Sequence, residues 1–274
     1  MERQKTMKTI LITGAGSGIG KETAKLFAAK GWNVIATMRE PKNDKTFAEM
    51  DHVTVMKLDV TNKKDIETVA SEVIAQGGLD VLFNNAGIGV KGCLDATPEK
   101  SIRQVFETDF MGPAEIMKAF IPYFKTKKSG VLMTTASMSG VISFPYDSVY
   151  AAAKHALIGL CESLYYELLP YGIRVKILIP GPINTNFKMQ TFISSFNSAH
   201  NLKPSKNLSK ILIPDFNSLP EAKEVAQVAY EAATSDSDQL EYIIGDVANT
   251  LISKYRSQGV EAFKKELANE VYEK

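Results

Sequence analysis

Three side chains in the middle of the sequence have the types and spacing of proton-transfer groups. Tyr150 and Lys154 stand four residues apart in an alanine-rich segment that is predicted to be helical as far as about Leu169. Residues four apart on a helix share one face. An ammonium there favours the phenolate and brings its pKa, about 10 when unperturbed, toward neutral pH. Ser137, which precedes this helix, would hold a carbonyl or hydroxyl oxygen against the phenol, so the three residues predict acid–base chemistry at an oxygen atom.

The Tyr–Lys spacing by itself is weak support, because the chain has 10 tyrosines and is rich in lysine. A second pair with the same spacing, Tyr123 and Lys127, belongs to a charged stretch that ends at Gly130, and we interpret it as a solvated helix end. The Tyr150 pair therefore has to be judged by the elements that would position it.

A glycine-rich turn near the start of the chain predicts a nucleotide site. The apolar run Thr9–Thr13 is typical of a buried strand, and a helical pattern follows the turn. Between them lie Gly14, Gly18 and Gly20. Glycines let a backbone approach a pyrophosphate closely, and the next helix offers free N–H groups and the positive end of its dipole. Strand, glycine turn and helix in this order indicate a dinucleotide-binding unit.

The second predicted strand, Asn33–Met38, bears on which dinucleotide is bound. In such units an acidic residue near the end of this strand contacts the ribose 2′-hydroxyl of NAD. This chain has Met38 there, followed by Arg39, whose guanidinium suits a 2′-phosphate. NADP(H) is therefore the expected cofactor, with NAD as the alternative; the other interpretation of Arg39 is an exposed loop charge.

Further strands alternate with helical segments, which predicts a parallel sheet covered on both faces. Strands are expected at Val53–Val60, Leu79–Asn84, Gly130–Ala136 and Arg174–Ile179, and helices over about 65–76 and 101–127. Ligands of such folds bind at the carboxyl ends of the strands, where Asp59, Asn84–Gly87, Ser137 and Pro180–Thr185 also fall. The prediction is an α/β fold with a single-domain, Rossmann-type, doubly wound parallel sheet.

Composition and net charge exclude several classes of function. A hydrophobic fraction of 45%, a charged fraction of 23% and a net charge of +1 are ordinary for a globular protein and give no bulk attraction to nucleic acid or an anionic membrane. Two cysteines and three scattered histidines indicate neither a disulfide framework nor a metal site, so no metal is expected and a cytoplasmic location is the default. No apolar run approaches the ~20 residues of a membrane span.

One domain over residues 1–274 is predicted, since no linker, repeat or low-complexity stretch divides the chain. Its least regular part runs from about 187 to 217, where apolar residues including Phe187, Phe192 and Phe196 mix with Asn, Ser and Lys. A loop of this length is usually functional, and this one suits a lid over an apolar ligand. Packing on the sheet edge or on another subunit is the alternative. Helices are expected after Gly245, at the C-terminus.

Five motifs together resemble the short-chain dehydrogenase/reductase family. They occur in family order, with family-like intervals, over about residues 8–190: the Thr13–Gly20 turn, Asn84–Gly87, Ser137, the Tyr150–Lys154 pair and Pro180–Thr185. The remainder resembles a subgroup of retinol or 17β-hydroxysteroid dehydrogenase-like members. The resemblance implies hydride transfer between NADP(H) and a small-molecule carbonyl/alcohol pair, in a homodimer or homotetramer joined by the helix from about residue 101 and the helix of Tyr150.

The resemblance also implies a role for each matching residue. Tyr150 would be the acid/base, Ser137 would hold the substrate oxygen, and Lys154 would tune the phenol and hold the nicotinamide ribose. Asp59 and Val60 would contact adenine. The full set of cofactor-binding residues would be Gly14, Ser17, Gly18, Ile19, Gly20, Arg39, Asp59, Val60, Asn85, Ala86, Gly87, Tyr150, Lys154, Pro180, Gly181, Ile183 and Thr185, the last two at the carboxamide.

Asp109 departs from the family pattern. The family has an asparagine three residues before the glycine of the long helix, here Gly112, where it supports a water relay to the lysine. An ionised aspartate accepts hydrogen bonds but donates none. We therefore include Asp109 among the catalytic residues under two interpretations: either it pairs with Lys154 and holds the ammonium charged, or it is a relic in a weakened site.

The sequence thus predicts an oxidoreductase acting on an apolar carbonyl or alcohol. Two alternatives remain open. The epimerase/dehydratase branch of the family has a glycine where this chain has Ser17, which counts against it. A non-catalytic NADP(H)-binding regulator is motivated by Asp109, and turnover of any carbonyl compound would separate it from an enzyme.

Overall fold

The centre of the molecule is a sheet of seven parallel strands. The computed structural model describes residues 7–185, 187, 189–191 and 199–272, apart from the side chains of residues 43, 190 and 199–203. In chain order the strands are β1 (Thr9–Thr13), β2 (Asn33–Met38), β3 (Val53–Lys57), β4 (Val81–Asn84), β5 (Gly89–Lys91), β6 (Gly130–Thr135), β7 (Ile173–Pro180), β8 (Met189–Thr191) and β9 (Glu241–Ile244). The large sheet has the order β3–β2–β1–β4–β6–β7–β9, and β5 pairs with β8 separately. The predicted doubly wound α/β fold is confirmed.

Helices cover both faces of this sheet. They are α1 (Gly18–Ala29), α2 (Lys63–Ala75), α3 (Glu99–Phe106), α4 (Gly112–Lys127), α5 (Ser148–Leu168), α6 (Ala199–Leu212), α7 (Ala222–Thr234), α8 (Asp246–Gln258) and α9 (Val260–Tyr272). Helices α2, α4 and α5 pack with Leu11 on one face, while α1 and α7 pack with Ile10 and Ile12 on the other. Because successive side chains of a strand point to opposite faces, β1 supplies both cores. Within the described chain, no helix combines the length and hydropathy that a membrane span requires.

The long helix predicted over 101–127 is interrupted by a π-helical turn, Glu107–Met111, between α3 and α4. Pro113 has no N–H to donate to the carbonyl of Asp109, four residues earlier, and its ring crowds that carbonyl. The regular α-helical pattern therefore fails here, and the chain accommodates the proline with a π turn. Pro113 was the available sequence signal, although a proline alone does not locate an interruption, since Pro122 lies within α4.

The described part of the segment from about 187 to 217 is more regular than its sequence indicates. Strand β8 pairs in parallel with β5, and α6 packs against α9, where Asn207 Nδ2 donates to the carbonyl of Val271 at 3.1 Å. The expectation of a loop without periodicity is therefore wrong for residues 199–212. Pro204 lies inside α6 and obscures the helical pattern, and the helix is stabilised by tertiary packing rather than by its own propensity.

The third strand ends at Lys57, earlier than the predicted end at Val60. Beyond it Asp59 accepts hydrogen bonds from both N and Oγ1 of Thr61, while its own N–H donates to Asp65 at 3.1 Å. These side-chain bonds turn the backbone away from the sheet and into α2. The turn keeps Asp59 and Val60 at the carboxyl end of the strand, where the sequence places them.

Candidate active site

The carboxyl ends of the strands border one large cleft of about 1600 Å³. Most of the residues that the sequence predicts as functional line this cleft: Gly14, Ser17, Gly18, Ile19, Arg39, Asp59, Val60, Asn85, Ala86, Gly87, Ser137, Tyr150, Lys154, Pro180, Gly181, Ile183 and Thr185. Gly20 and Asp109 lie behind its wall. The tertiary structure therefore assembles, at one sheet edge, residues that are far apart in the chain.

The glycine turn is held tightly against the end of β4. Gly14 has a φ of +66°, and a Cβ added there would lie 2.8 Å from the Cα of Ala86. A Cβ at Gly20 would lie 2.5 Å from both the backbone carbonyl oxygen of Gly14 and the side-chain Nδ2 of Asn85. Gly14 meets the need for a left-handed conformation, whereas Gly20 allows the close approach of α1 to the turn.

Thr13 is a residue whose structural role the sequence interpretation did not single out. Its Oγ1 accepts hydrogen bonds from the backbone N–H groups of both Asn85 and Ala86, each at 3.0 Å, and its carbonyl accepts one from Asn85 Nδ2 at 3.1 Å. These bonds lock the end of β1 to the end of β4. The polar residue at the last position of a buried apolar strand was the available signal.

Replacing Gly20 with alanine is expected to lower both the free energy of unfolding and the affinity for NADPH, because the added methyl group meets backbone atoms that cannot move aside. Overpacking of this kind costs about 1–3 kcal/mol. The matched control is Gly16→Ala in the same turn, where the added Cβ would meet only Met38 atoms at 3.6 Å or more. Chemical denaturation and calorimetric NADPH titration of both variants check the difference, and equal losses in the two would contradict it.

The N-terminus of α1 fits an anionic phosphate. Ser17 occupies the N-cap position but makes no side-chain capping hydrogen bond, and Ser17, Gly18 and Ile19 all line the cleft. The first N–H groups of a helix have no partner within it and carry the positive end of its dipole. Arg39 also lines the cleft and is exposed. The residues present therefore fit a dinucleotide whose pyrophosphate lies at the start of α1.

Tyr150, Ser137 and Lys154 meet in the middle of the cleft. Tyr150 and Lys154 are only 8% and 4% exposed, and the Lys154 Nζ lies 5.5 Å from the centre of the Tyr150 ring. Ser137 is hydrogen-bonded to the phenol, and its Oγ accepts the N–H of Ser139 at 3.1 Å. Lys154 donates to the carbonyl of Thr135 at 3.2 Å. The hydroxyl, phenol and ammonium groups are thus held by the ends of β6 and the first turns of α5.

Asp109 forms a buried ion pair with Lys154. Its Oδ2 lies 3.1 Å from the Lys154 Nζ, and its Oδ1 accepts the backbone N–H of Ile88 at 2.9 Å. Asp109 is fully buried, and the π turn is what carries it inward behind the cleft wall. Of the two interpretations of Asp109, this geometry supports the direct pair with Lys154.

The pKa shifts in this cluster have identifiable causes. Burial raises the pKa of Tyr150 above its ordinary value; the Lys154 ammonium opposes this and Asp109 adds to it. Burial is the largest influence on Lys154 and works against its charge, but Asp109 and Tyr150 together outweigh it, so that the lysine pKa is raised. Burial raises the pKa of Asp109, with Lys154 and the Ile88 N–H opposing it. The expectation that Lys154 brings the phenol pKa toward neutral is therefore not met: the low dielectric of the interior dominates.

The end of the cleft that lies beside Tyr150, where a substrate would bind, has many apolar side chains. Its lining includes Phe144, Phe187, Met189, Leu212 and Ile213, and the Phe187 ring centre lies 6.4 Å from that of Tyr150. Phe192 and Phe196, which the sequence assigns to the same lid, lie outside the described residues. The apolar wall beside Tyr150 suits a substrate with a substantial hydrocarbon part.

The second Tyr–Lys pair lies away from the cleft. Tyr123 Oη donates to the carbonyl of Gly77 at 3.2 Å, and Lys127 Nζ bonds the carbonyl of Leu79 at 2.9 Å and Asp80 at 2.7 Å. The pair anchors the chain just before β4 to the end of α4. It is therefore a structural contact at a helix end rather than a purely solvated one.

Comparison with known proteins identifies the family. A family model described as short chain dehydrogenase matches residues 8–194. An uncharacterized oxidoreductase of Schizosaccharomyces pombe is 35% identical over 211 residues, which is 76% of this chain and 89% of that protein. Human 17-beta-hydroxysteroid dehydrogenase type 1 is 35% identical over 189 residues, 66% of this chain and 57% of that protein. The chain belongs to the short-chain dehydrogenase family, and the resemblance inferred from its motifs is confirmed.

Solved structures agree with this assignment. A short-chain dehydrogenase from Streptomyces avermitilis superposes with a TM-score of 0.84 at 30% identity, covering 97% of each chain. The structure of ElxO with NADP bound superposes with a TM-score of 0.74 at 27% identity, covering 87% of this chain and 98% of ElxO. The protein is therefore an oxidoreductase of this family, acting on CH–OH groups with NAD(P), and a purely regulatory role is not favoured.

Proposed function

We propose that the protein is an NADP(H)-dependent oxidoreductase that interconverts an apolar ketone or aldehyde and its alcohol. The observation that carries the proposal is the cluster of Ser137, Tyr150 and Lys154 in the wall of a cleft that also contains the α1 N-terminus and an apolar end. The nicotinamide supplies or accepts the hydride when bound. The protein's own groups bind and orient both reactants and move the proton.

In this proposal Tyr150 Oη gives its proton to the carbonyl oxygen during reduction and takes it back during oxidation. Ser137 Oγ, already bonded to the phenol, holds the same oxygen and limits its orientation. Because burial raises the phenol pKa, Tyr150 is protonated at neutral pH, which is the form that carbonyl reduction needs. The Lys154 ammonium favours the phenolate that remains after proton transfer.

The proposed preference for NADP(H) depends on Arg39, which follows β2 at the mouth of the cleft and forms no ion pair with the described residues. The structural relative ElxO was solved with NADP bound, which supports the same cofactor for this protein. The last residue of β2 is Met38 rather than a carboxylate that would bind the ribose hydroxyls and repel a 2′-phosphate, although Glu40 beside Arg39 also lines the cleft. A guanidinium suits this phosphate because it offers several donors in one plane.

Arg39→Ala is expected to weaken NADPH binding by about tenfold or more while leaving NADH affinity nearly unchanged, because a charge-assisted hydrogen bond contributes roughly 1.5–3 kcal/mol. Arg103→Ala is the matched control, since Arg103 pairs with Glu99 on the exposed face of α3. Calorimetric titration of both cofactors at moderate salt measures the effect. Equal wild-type affinities for NADPH and NADH would contradict the proposed role.

The substrate end is proposed to lie between Phe187, Met189 and the end of α6, so that the region from about 187 to 217 forms a wall over the ligand.

Assembly into a homodimer or homotetramer and a cytoplasmic location also stay predictions. The exposed face of α5 mixes Tyr166, which is 74% exposed, with Glu162 and His155, so that only part of this face is apolar.

The proposed function is tested by oxidation of NADPH with a panel of aldehydes, long-chain ketones, ketosteroids and quinones, with product stereochemistry determined for any substrate found. Turnover of at least one apolar carbonyl that is lost in a Tyr150 variant supports the proposal. Binding of NADPH without turnover of any carbonyl or alcohol in the panel would contradict it and favour the regulatory alternative.

A further inference from the structure

The substrate end of the cleft contains a buried carboxylate that the mechanism above does not use. Asp147 is 6% exposed, lies immediately before α5 and lines the cleft. Its Oδ2 accepts the hydroxyl of Ser139 at 2.6 Å, whereas its Oδ1 is buried and has no hydrogen-bond partner among the described residues. A buried polar atom without a partner is rare in a folded protein and calls for an explanation.

The unpartnered oxygen is costly unless something supplies a donor. An unsatisfied buried acceptor costs about 1–3 kcal/mol, and more when the group is charged. Burial raises the pKa of Asp147 to about 6, opposed by the Ser139 hydroxyl and by the Lys91 ammonium. The carboxyl is therefore mostly ionised above about pH 7, and an ionised carboxylate only accepts hydrogen bonds. The missing partner must be a hydrogen-bond donor.

The position of Asp147 ties this donor to the reacting group. Asp147 and Tyr150 are three residues apart at the first turn of α5, a spacing that places two side chains on the same face, and the Asp147 carboxylate acts electrostatically on the phenol. Ser139, which binds Asp147 Oδ2, also donates its N–H to Ser137 Oγ. A ligand group that reaches Asp147 Oδ1 therefore lies on the same side of the cleft as the carbonyl held by Ser137 and Tyr150, because all three residues line that cleft.

We propose that Asp147 is a specificity-determining residue whose Oδ1 accepts a hydrogen bond from a hydroxyl or amino group on a carbon close to the reacting carbonyl. The substrate class is an apolar ketone or aldehyde with one such donor beside the carbonyl, its hydrocarbon part lying against the Phe144, Phe187 and Met189 side of the cleft. This inference rests on the proposed function, because it names the substrate class of the same site.

The test compares matched substrates with one alkyl chain: a ketone with a hydroxyl group on the neighbouring carbon, its methyl ether, which cannot donate, and the corresponding aminoketone. The quantity measured is the ratio of kcat/KM for the hydroxyketone to kcat/KM for the ether, with NADPH above pH 7. The wild type is expected to give a ratio of about 10–100, the loss that an unpaired buried group imposes. The aminoketone arm shows whether the donor is an amine or a hydroxyl.

Asp147→Asn is expected to bring the ratio close to one, because an amide that accepts from Ser139 presents its NH₂ to the substrate. Ser139→Ala is the matched control: it removes the partner of Oδ2 and leaves Oδ1, so the high ratio is retained. If Asp147 only positions Ser139 and Ser137, its replacement lowers kcat/KM for both compounds equally and leaves the ratio unchanged. That result overturns the proposal.

Binding provides a second readout that needs no turnover. Dissociation constants of the hydroxyketone and its ether are measured by calorimetry with the NADP⁺ complex, in which no hydride is available to the ketone. Selective binding of the hydroxyketone that Asp147→Asn abolishes, without turnover of any panel member, supports this inference and contradicts the proposed function. Turnover with a wild-type ratio near one contradicts the inference alone. If the protein shows no turnover and no selective binding of the hydroxyketone, both the inference and the proposed function are contradicted.

Discussion

Replacing Tyr150 with phenylalanine is expected to lower kcat for carbonyl reduction by about 10²–10⁴-fold, the usual contribution of general acid catalysis. The phenol is the group that Ser137 bonds at the reacting position, and its buried hydroxyl is the proton source placed on the substrate oxygen. Phenylalanine keeps the ring and its packing against Phe187. NADPH affinity is therefore expected to change little.

Pre-steady-state measurement of NADPH oxidation, together with calorimetric titration of the cofactor, checks this prediction. Tyr123→Phe is the matched control, because it removes the hydroxyl from the other Tyr–Lys pair, whose hydrogen bond goes to Gly77 away from the cleft. Full activity is expected in that control. A Tyr150→Phe protein that keeps more than about a tenth of the wild-type kcat would show that another group is the principal acid.

Asp109→Asn is expected to shift the pH dependence of the reaction and to lower stability. Asp109 raises the pKa of Tyr150, so removing its charge lowers that pKa. Alcohol oxidation, which needs the phenolate, should then begin at lower pH. The lysine pKa falls at the same time, which partly cancels the effect. The maximum rate is therefore expected to change by less than about tenfold.

The stability effect has a definite sign. The folded-state pKa of Lys154 is raised above its ordinary value, mainly by Asp109 acting against burial. The pair therefore stabilises the fold below the unfolded lysine pKa as long as Asp109 stays ionised, and this contribution is lost as pH rises through the folded lysine pKa. Asparagine leaves the buried ammonium without a counter-charge. The free energy of unfolding at pH 7 is expected to fall by about 3 kcal/mol.

Profiles of kcat against pH and denaturant unfolding at pH 7 check both parts. Glu115→Gln is the matched control, since Glu115 lies on the following helix and its ion pair with Lys118 is exposed. A gain of tenfold or more at every pH, with an unshifted profile, would contradict the role assigned to Asp109. It would support the interpretation of Asp109 as a relic that asparagine repairs.

The sequence by itself determined the order of the main strands and helices, the edge of the sheet at which the site lies, and the family. Each of these depends on short-range signals: apolar runs of strand length, glycines between a strand and a helix, and residues that follow strands directly. Parallel strands bring their carboxyl ends together whatever the loops do. The glycine turn, Arg39, Ser137 and Pro180 were therefore placed at one edge without knowledge of a single tertiary contact.

The tertiary structure alone decided which charged groups of the site are paired, how their pKa values shift, and where the chain departs from the predicted elements. That Asp109 contacts Lys154 depends on the π turn and on the packing of α4 against α5, which no spacing reveals. The pKa of Tyr150 depends on burial, and sequence reasoning considered only its charged neighbour. The open oxygen of Asp147 and the helix at Ala199–Leu212 are likewise set by contacts between distant segments. Burial and partners are properties of the packed chain, because they depend on which residues three-dimensional packing brings together.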